Sequence, residues 1–156
     1  MLLEIKGNEY GLEWGMLAFE NLEDELNVSG TTIIGMIIDE IARGRDKTLR
    51  KLAYEAIKLW CRRNDKDCPL TMFDFADWLD REPQGSDSVN FILDSFHESW
   101  YQGKQVSAWI EDIINLLTQS VEEDVKTSAP KKKSTRAPKS SKTATSGASR
   151  GKTTKS

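Results

Sequence analysis

The fold is decided by residues 46–60, DKTLRKLAYEAIKLW, which carry the clearest helical period in the chain. The apolar positions recur every three or four residues and are Leu49, Leu52, Ala53, Ala56, Ile57 and Trp60. Basic residues occupy the opposite face and are Lys47, Arg50, Lys51, Lys58 and Arg62. This spacing predicts a long amphipathic helix with one face in the core and the other in water.

Residues 1–14 precede this helix and alternate with a period of two, which is typical of a β-hairpin. The apolar positions are Leu3, Ile5, Tyr10, Leu12 and Trp14. We predict the turn at Gly7-Asn8, because glycine accepts a positive φ at the first central position. A lone hairpin is marginal in water, so its apolar face is expected to cover a helix.

Five more amphipathic segments are predicted as helices, at about 16–26, 31–41, 71–81, 86–103 and 107–121. Thr31 or Thr32 is the expected cap of the second, and Thr71 with Asp74 forms a capping box for the third. Gly103 is expected to end the fourth. The predicted fold is mainly α, with a short N-terminal β-hairpin, a compact bundle of about five to six helices and one hydrophobic core.

The composition changes abruptly after Val125. Residues 126–156 contain eight Lys and two Arg but no carboxylate, no aromatic residue and no aliphatic residue larger than alanine. They carry +10, so the other 12 basic and 25 acidic residues leave −13 on residues 1–125. A segment of this kind cannot bury enough apolar surface to fold. We predict an α-rich globular domain over 1–125 and a disordered basic tail over 126–156.

The basic tail is a candidate site for an anionic partner. Its cations include Lys131, Lys132, Lys133, Arg136, Lys139, Lys142, Arg150, Lys152 and Lys155. Such an arm attracts phosphates or acidic surfaces without reading sequence, and it has no aromatic residue to stack on bases. The alternative is a solvated extension that keeps the protein soluble or folds back onto the acidic body.

The apolar segment 33–41 is the candidate contact for a protein partner. Its isoleucines, Ile33, Ile34, Ile37, Ile38 and Ile41, cover most of the helix circumference. The alternative is the buried central helix of the domain. Among the tryptophans, Trp14, Trp60 and Trp100 fit apolar stripes and are expected in the core, whereas Trp78 or Trp109 is a candidate exposed anchor.

Catalysis, a metal and a cofactor are not expected. His97 is the one histidine, and we interpret it as packed or half-exposed on a helix. Asp74, Asp77 and Asp80 are interpreted as a cap and a solvated face, and Cys61 and Cys68 as ordinary packing or loop residues, because their spacing matches no zinc or redox motif. No segment approaches the length of a membrane span, and the acidic start predicts a cytoplasmic protein.

The N-terminal phrase Ile5, Gly7, Tyr10, Leu12 and Gly15 resembles the "I-x-G-x-x-Y-x-L-x-x-G" beginning of phage tail assembly chaperones from long-tailed phages and prophages. The middle of the chain is also similar to that family, through the helix around 52–57, a polar loop, Leu70-Thr71 and the helix up to Leu79. The resemblance covers residues 1 to about 117. The basic tail is not part of the family pattern.

The resemblance implies an α-rich protein that binds the tape measure protein, keeps it soluble and helps to recruit tail tube subunits. The protein would act in the host cytoplasm and would not be expected in the mature virion, and its oligomeric state is left open. The alternative function is a small nucleic-acid-associated protein that binds phosphate through its basic C-terminal arm.

Overall fold

A computed structural model describes the backbone of residues 1–127 and the side chains of residues 1–120. This part contains six helices and two short antiparallel hairpins, which confirms the mainly α fold with an N-terminal hairpin. The elements in chain order are β1 (Leu3–Ile5), β2 (Asn8–Tyr10), α1 (Met16–Leu26), α2 (Gly30–Ala42), α3 (Lys47–Arg63), α4 (Met72–Leu79), α5 (Asp87–Glu98), β3 (Trp100–Tyr101), β4 (Lys104–Gln105) and α6 (Val106–Thr127). Helix α6 includes the first two residues of the predicted tail, Lys126 and Thr127, and residues 128–156 lie outside the described residues.

The N-terminal hairpin pairs Leu3 with Tyr10 and Ile5 with Asn8. Its turn consists of Lys6 and Gly7, which both have a positive φ, so the predicted turn at Gly7-Asn8 is wrong by one residue. Two positive φ values define the turn type whose twist matches that of the flanking strands. The predicted apolar face is correct, since Leu3, Ile5 and Tyr10 are buried.

Helix α3 supplies side chains to two buried clusters, whereas the sequence predicts one core. The first cluster joins α1, α2, the second hairpin and α6 to Leu49, Leu52 and Leu59. The second places the N-terminal hairpin, α4 and α5 against Ala53, Ile57 and Cys61. The Trp14 side chain packs against both clusters, so the two are adjacent.

The structure confirms one predicted helix cap and corrects another. The Thr71 hydroxyl accepts a 3.1 Å hydrogen bond from the Asp74 backbone N–H, and the Asp74 carboxylate accepts one from the Thr71 N–H, which confirms the capping box. Helix α2 is capped by Ser29, not by Thr31 or Thr32, because its first residue is Gly30, one residue before the predicted start at about 31. Helix α4 ends at Leu79, two residues before the predicted end.

The second hairpin is absent from the sequence prediction, which extends α5 to Gly103. The structure ends α5 at Glu98, and Trp100 and Tyr101 then pair with Gln105 and Lys104. Gly103 and the residue before it have positive φ values, so this glycine serves a hairpin turn and not a helix terminus. The strand alternation exposes Trp100, which is 59% accessible, and buries Tyr101. The expectation that Trp100 lies in the core is therefore wrong.

Candidate protein-binding surface

The predicted partner contact on α2 is largely part of the core. Ile33, Ile34 and Ile37 are buried against α1, α3 and α6, so in this fold they cannot contact another protein. Ile38 is half-buried and also packs against this cluster. The correction has a simple physical reason: a helix that is apolar around most of its circumference is covered by neighbours on several sides. Only Ile41, at the last turn, is 47% exposed.

The two tryptophans predicted as candidate anchors are both half-buried. The Trp78 ring stacks on Phe75, with 5.9 Å between ring centroids. The Trp109 indole N–H donates a 3.0 Å hydrogen bond to the Tyr101 backbone carbonyl, and its ring packs against the first cluster. Their main contacts are therefore internal, and neither projects from the surface.

Ile41 lines a cleft of about 740 Å³ that lies between the end of α2, the start of α3 and the helices α4 and α5. Its apolar lining consists of Ile41, Leu49, Ala53, Leu79, Val89, Ile92 and Leu93. Its polar lining includes Arg45, Asp46, Arg50, Asp80, Glu82, Gln84 and Asn90. A cleft of this size, with an apolar lining and polar side chains among it, is suited to apolar side chains of a partner.

Arg50 lies in this cleft with its side chain 21% exposed. One guanidinium nitrogen lies 2.8 Å from an Asp46 carboxylate oxygen and 3.0 Å from one of Asp80. Its Nε is buried and has no hydrogen-bond partner within the described part of the chain. The two carboxylates offset the positive charge of Arg50, so this guanidinium is already paired within the protein.

A second apolar surface is formed by α6. Ile110 and Ile113 pack against the first cluster, as the helical period predicts. The same helix then continues with Ile114, Leu116 and Leu117, which are 47%, 66% and 59% exposed. We call these three residues the free face of α6. The sequence predicts a helix over about 107–121 but not the exposure of these residues, because the helical period alone does not say where the neighbouring helices end.

The free face of α6 lies in a stretch that carries no charged side chain, which is unusual for an exposed helix surface. Residues 113–120 contain no acidic or basic residue, although the six from 115 to 120 are all exposed. A solvated helix surface normally carries charged residues, as α1 does with Glu20, Asp24 and Glu25. Exposed leucines without charges between them are typical of a surface that another protein covers.

The candidate catalytic and metal residues do not meet in a site. His97 is exposed at the last turn of α5, so it is less packed than predicted. Among the described residues no group of three or more His, Cys, Asp or Glu side chains could hold a metal ion. The Lys6 ammonium, with help from the Thr71 hydroxyl, lowers the pKa of Asp74, which fits the interpretation of this residue as a cap.

The basic residues proposed for an anionic partner, from Lys131 to Lys155, lie outside the described residues. None of the helices within residues 1–127 is long and apolar enough to cross a membrane.

The residues that carry the family resemblance have structural roles in the hairpin. Ile5 and Tyr10 are buried, Gly7 occupies the turn, and Gly15 precedes the first residue of α1. The residues of this N-terminal motif therefore serve the folding of the hairpin and its packing on the helices. Comparisons with protein-family models, curated proteins and solved structures found no match to this chain.

Proposed function

We propose that this protein is a nonenzymatic tail assembly chaperone of a long-tailed phage or prophage. It binds amphipathic helical segments of the tape measure protein, keeps that protein soluble in the host cytoplasm and helps to recruit tail tube subunits. The resemblance of the N-terminal hairpin and the following helices supports the choice of family. The free face of α6 is the single observation that supports a binding role, because it exposes Ile114, Leu116 and Leu117 in a stretch without charge.

The partner surface suits a long amphipathic helix better than a compact ligand. Ile114 and Leu117 lie three residues apart on one side of α6, the spacing at which a partner helix can insert its own apolar side chains between them. The body contributes a second surface, since α2 and α5, which both pack on α6, line the cleft with Ile41 and Leu93. A partner with many apolar stripes could contact both surfaces in succession.

The test is co-expression of the full chain with the tape measure protein of the same phage or prophage, followed by co-purification. The double variant Leu116→Gln, Leu117→Gln should reduce binding by roughly tenfold or more, because burying each leucine contributes about 1–2 kcal/mol. It should leave the melting temperature unchanged, since both side chains are exposed in the free protein. The matched control is Thr118→Ala, Gln119→Ala, which changes the same turn without removing apolar surface.

Two outcomes would count against the proposal. If the tape measure protein does not co-purify with the wild-type chain, the chaperone function is wrong. If it co-purifies equally with the leucine double variant, the function stands but the free face of α6 is not the contact.

The second candidate function is nucleic-acid association through residues 126–156, which is favoured by ten cations and no carboxylates in that segment. Deletion of 126–156 separates the two candidates. Tape measure binding should survive this deletion. Nucleic-acid affinity should disappear with it and, in the full chain, should fall steeply with added salt as counterion release requires.

A further inference from the structure

The chain carries an exposed apolar helix face and an apolar cleft, and both are open in the described part of the molecule. The free face of α6 exposes Ile114, Leu116 and Leu117 by 47%, 66% and 59%. The lining of the cleft includes Ile41 and Leu93, which are 47% and 37% exposed. When one chain has both an apolar face and an apolar cleft, two copies can cover each of these surfaces with the other.

Charge does not oppose such a contact. Residues 113–120 carry no charged side chain. The charged residues that line the cleft are Arg45, Asp46, Arg50, Asp80 and Glu82. Asp46 and Asp80 are paired with Arg50, and the Ser86 hydroxyl donates a 3.0 Å hydrogen bond to the Glu82 carboxylate. An uncharged helix that enters the cleft therefore leaves none of these four charged groups without its present partner.

The remaining polar groups of the two surfaces also suit each other. Arg45 is exposed, and its long side chain can keep the guanidinium in water at the edge of a contact. The cleft contributes the amides of Gln84 and Asn90, and the exposed stretch of α6 contributes those of Asn115 and Gln119. Polar side chains around an apolar centre are typical of protein interfaces.

The size of the two surfaces favours a symmetric dimer. A single contact joins the eight residues 113–120 of one copy to the 16 residues that line the cleft of the other. If each copy places its α6 in the cleft of the other, every chain contributes both sets, which comprise 24 residues. Stable interfaces comprise about 20–30 residues a side. A closed two-fold arrangement also leaves neither surface open, whereas a one-way contact would continue into a filament.

We propose that a second copy of this chain covers these surfaces, with the free face of α6 of each copy in the cleft of the other. The dimer uses the face that we assign to the tape measure protein, so helices of that protein should displace the second copy. The test of the dimer contains no tape measure protein, and the two proposals can therefore fail separately.

The first measurement is sedimentation velocity of the full chain, which should be mainly dimeric at about 100 μM. Leu116→Gln, Leu117→Gln should raise the dimer Kd roughly hundredfold or more, because a symmetric dimer loses four buried leucines. The cleft variant Ile41→Gln, Leu93→Gln should have an effect of the same kind. The matched control is Phe73→Gln, which removes an exposed apolar side chain outside both surfaces and should leave the Kd unchanged.

Mixing the two variants identifies which surfaces meet. The α6 variant keeps an intact cleft, and the cleft variant keeps an intact α6 face. One complete contact can therefore form between them, although neither variant can form a complete contact with itself. A fluorescently labelled cleft variant should sediment as a monomer alone and as a dimer when the unlabelled α6 variant is added. Circular dichroism checks that each variant is folded, and Ile41→Gln alone replaces the cleft variant if that variant is not.

Three results would overturn the proposal. The first is a wild-type chain that stays monomeric at about 100 μM. The second is a cleft variant that dimerises as well as wild type, which would mean that α6 contacts α6 of the other copy. The third is a dimer that dissociates at about 0.5 M salt, because screening weakens contacts between opposite charges, such as residues 126–156 with the acidic body, but not apolar burial.

Discussion

The Tyr101 hydroxyl donates a hydrogen bond to the Glu23 carboxylate, with 2.7 Å between the two oxygens. The same carboxylate accepts a hydrogen bond from the backbone N–H of Gly30, at the start of α2. Tyr101 lies in the second hairpin and Glu23 in α1, so this contact joins elements that are 78 residues apart in sequence. A buried tyrosine of this kind fixes the hairpin between α1 and α2.

Gly30→Ala should destabilise the protein by about 1–3 kcal/mol, because the added Cβ would overlap the Tyr101 ring and force one of the two elements to move. Gly35→Ala is the matched control, since it lies in the same helix and its Cβ would meet no atom within 4 Å. The control should be stabilising by about 0.5–1 kcal/mol through helix propensity. Urea unfolding measures the stability of both variants. Equal changes in stability would contradict the close contact between Gly30 and the Tyr101 ring.

Tyr101→Phe should change how stability depends on alkaline pH. Burial and the hydrogen bond to Glu23 raise the pKa of Tyr101 to about 12, above the ordinary value of 10.0. The unfolded chain therefore loses this proton first, and stability falls as pH rises from about 10 through 12. The Phe variant should be less stable than wild type at pH 8, and the gap should narrow towards pH 12. A difference in unfolding free energy between wild type and Tyr101→Phe that does not change with pH would refute the raised pKa of Tyr101.

Phe75→Ala should cost about 3–5 kcal/mol, whereas Phe73→Ala should change stability by less than about 0.5 kcal/mol. The two phenylalanines lie two positions apart on α4, but Phe75 is fully buried in the second cluster and Phe73 is 84% exposed. Thermal and urea unfolding measure the difference. A large loss of stability for Phe73→Ala would show that α4 packs on its other face.

Thr71→Ala should destabilise the protein by about 1 kcal/mol, because the Asp74 N–H loses its acceptor at the start of α4. Thr118→Ala is the control, since its exposed hydroxyl donates a hydrogen bond to the Ile114 carbonyl of its own helix, and it should be neutral or slightly stabilising. Equilibrium unfolding of both variants checks the prediction. It fails if the two substitutions cost the same.

Features that depend only on residues close together in the sequence were predictable. The amphipathic period of α3 and the Thr71–Asp74 capping box involve contacts within one or two turns, and both are present where expected. The errors arose where two local interpretations compete. Gly103 is compatible with a helix end and with a hairpin turn, and only the docking of Tyr101 between α1 and α2 selects the hairpin.

The candidate surface could be predicted only in part. The isoleucines of α2 cover most of the helix circumference, which made α2 the candidate contact, with a buried central helix as the alternative. The structure buries Ile33, Ile34 and Ile37 and exposes Leu116 and Leu117 instead. Exposure depends on whether another element covers a stripe, and the period of a single helix contains no information about its neighbours.

The sequence by itself determined the mainly α architecture, the apolar face of the first hairpin and the charge contrast between residues 1–125 and 126–156, because these follow from local propensity, periodicity and composition. The tertiary structure alone decided which apolar stripe remains free, which tryptophan is exposed and that Tyr101 docks between α1 and α2. These properties arise from contacts between residues that are distant in the chain or brought together by a loop, and such contacts form only when the helices pack around α3.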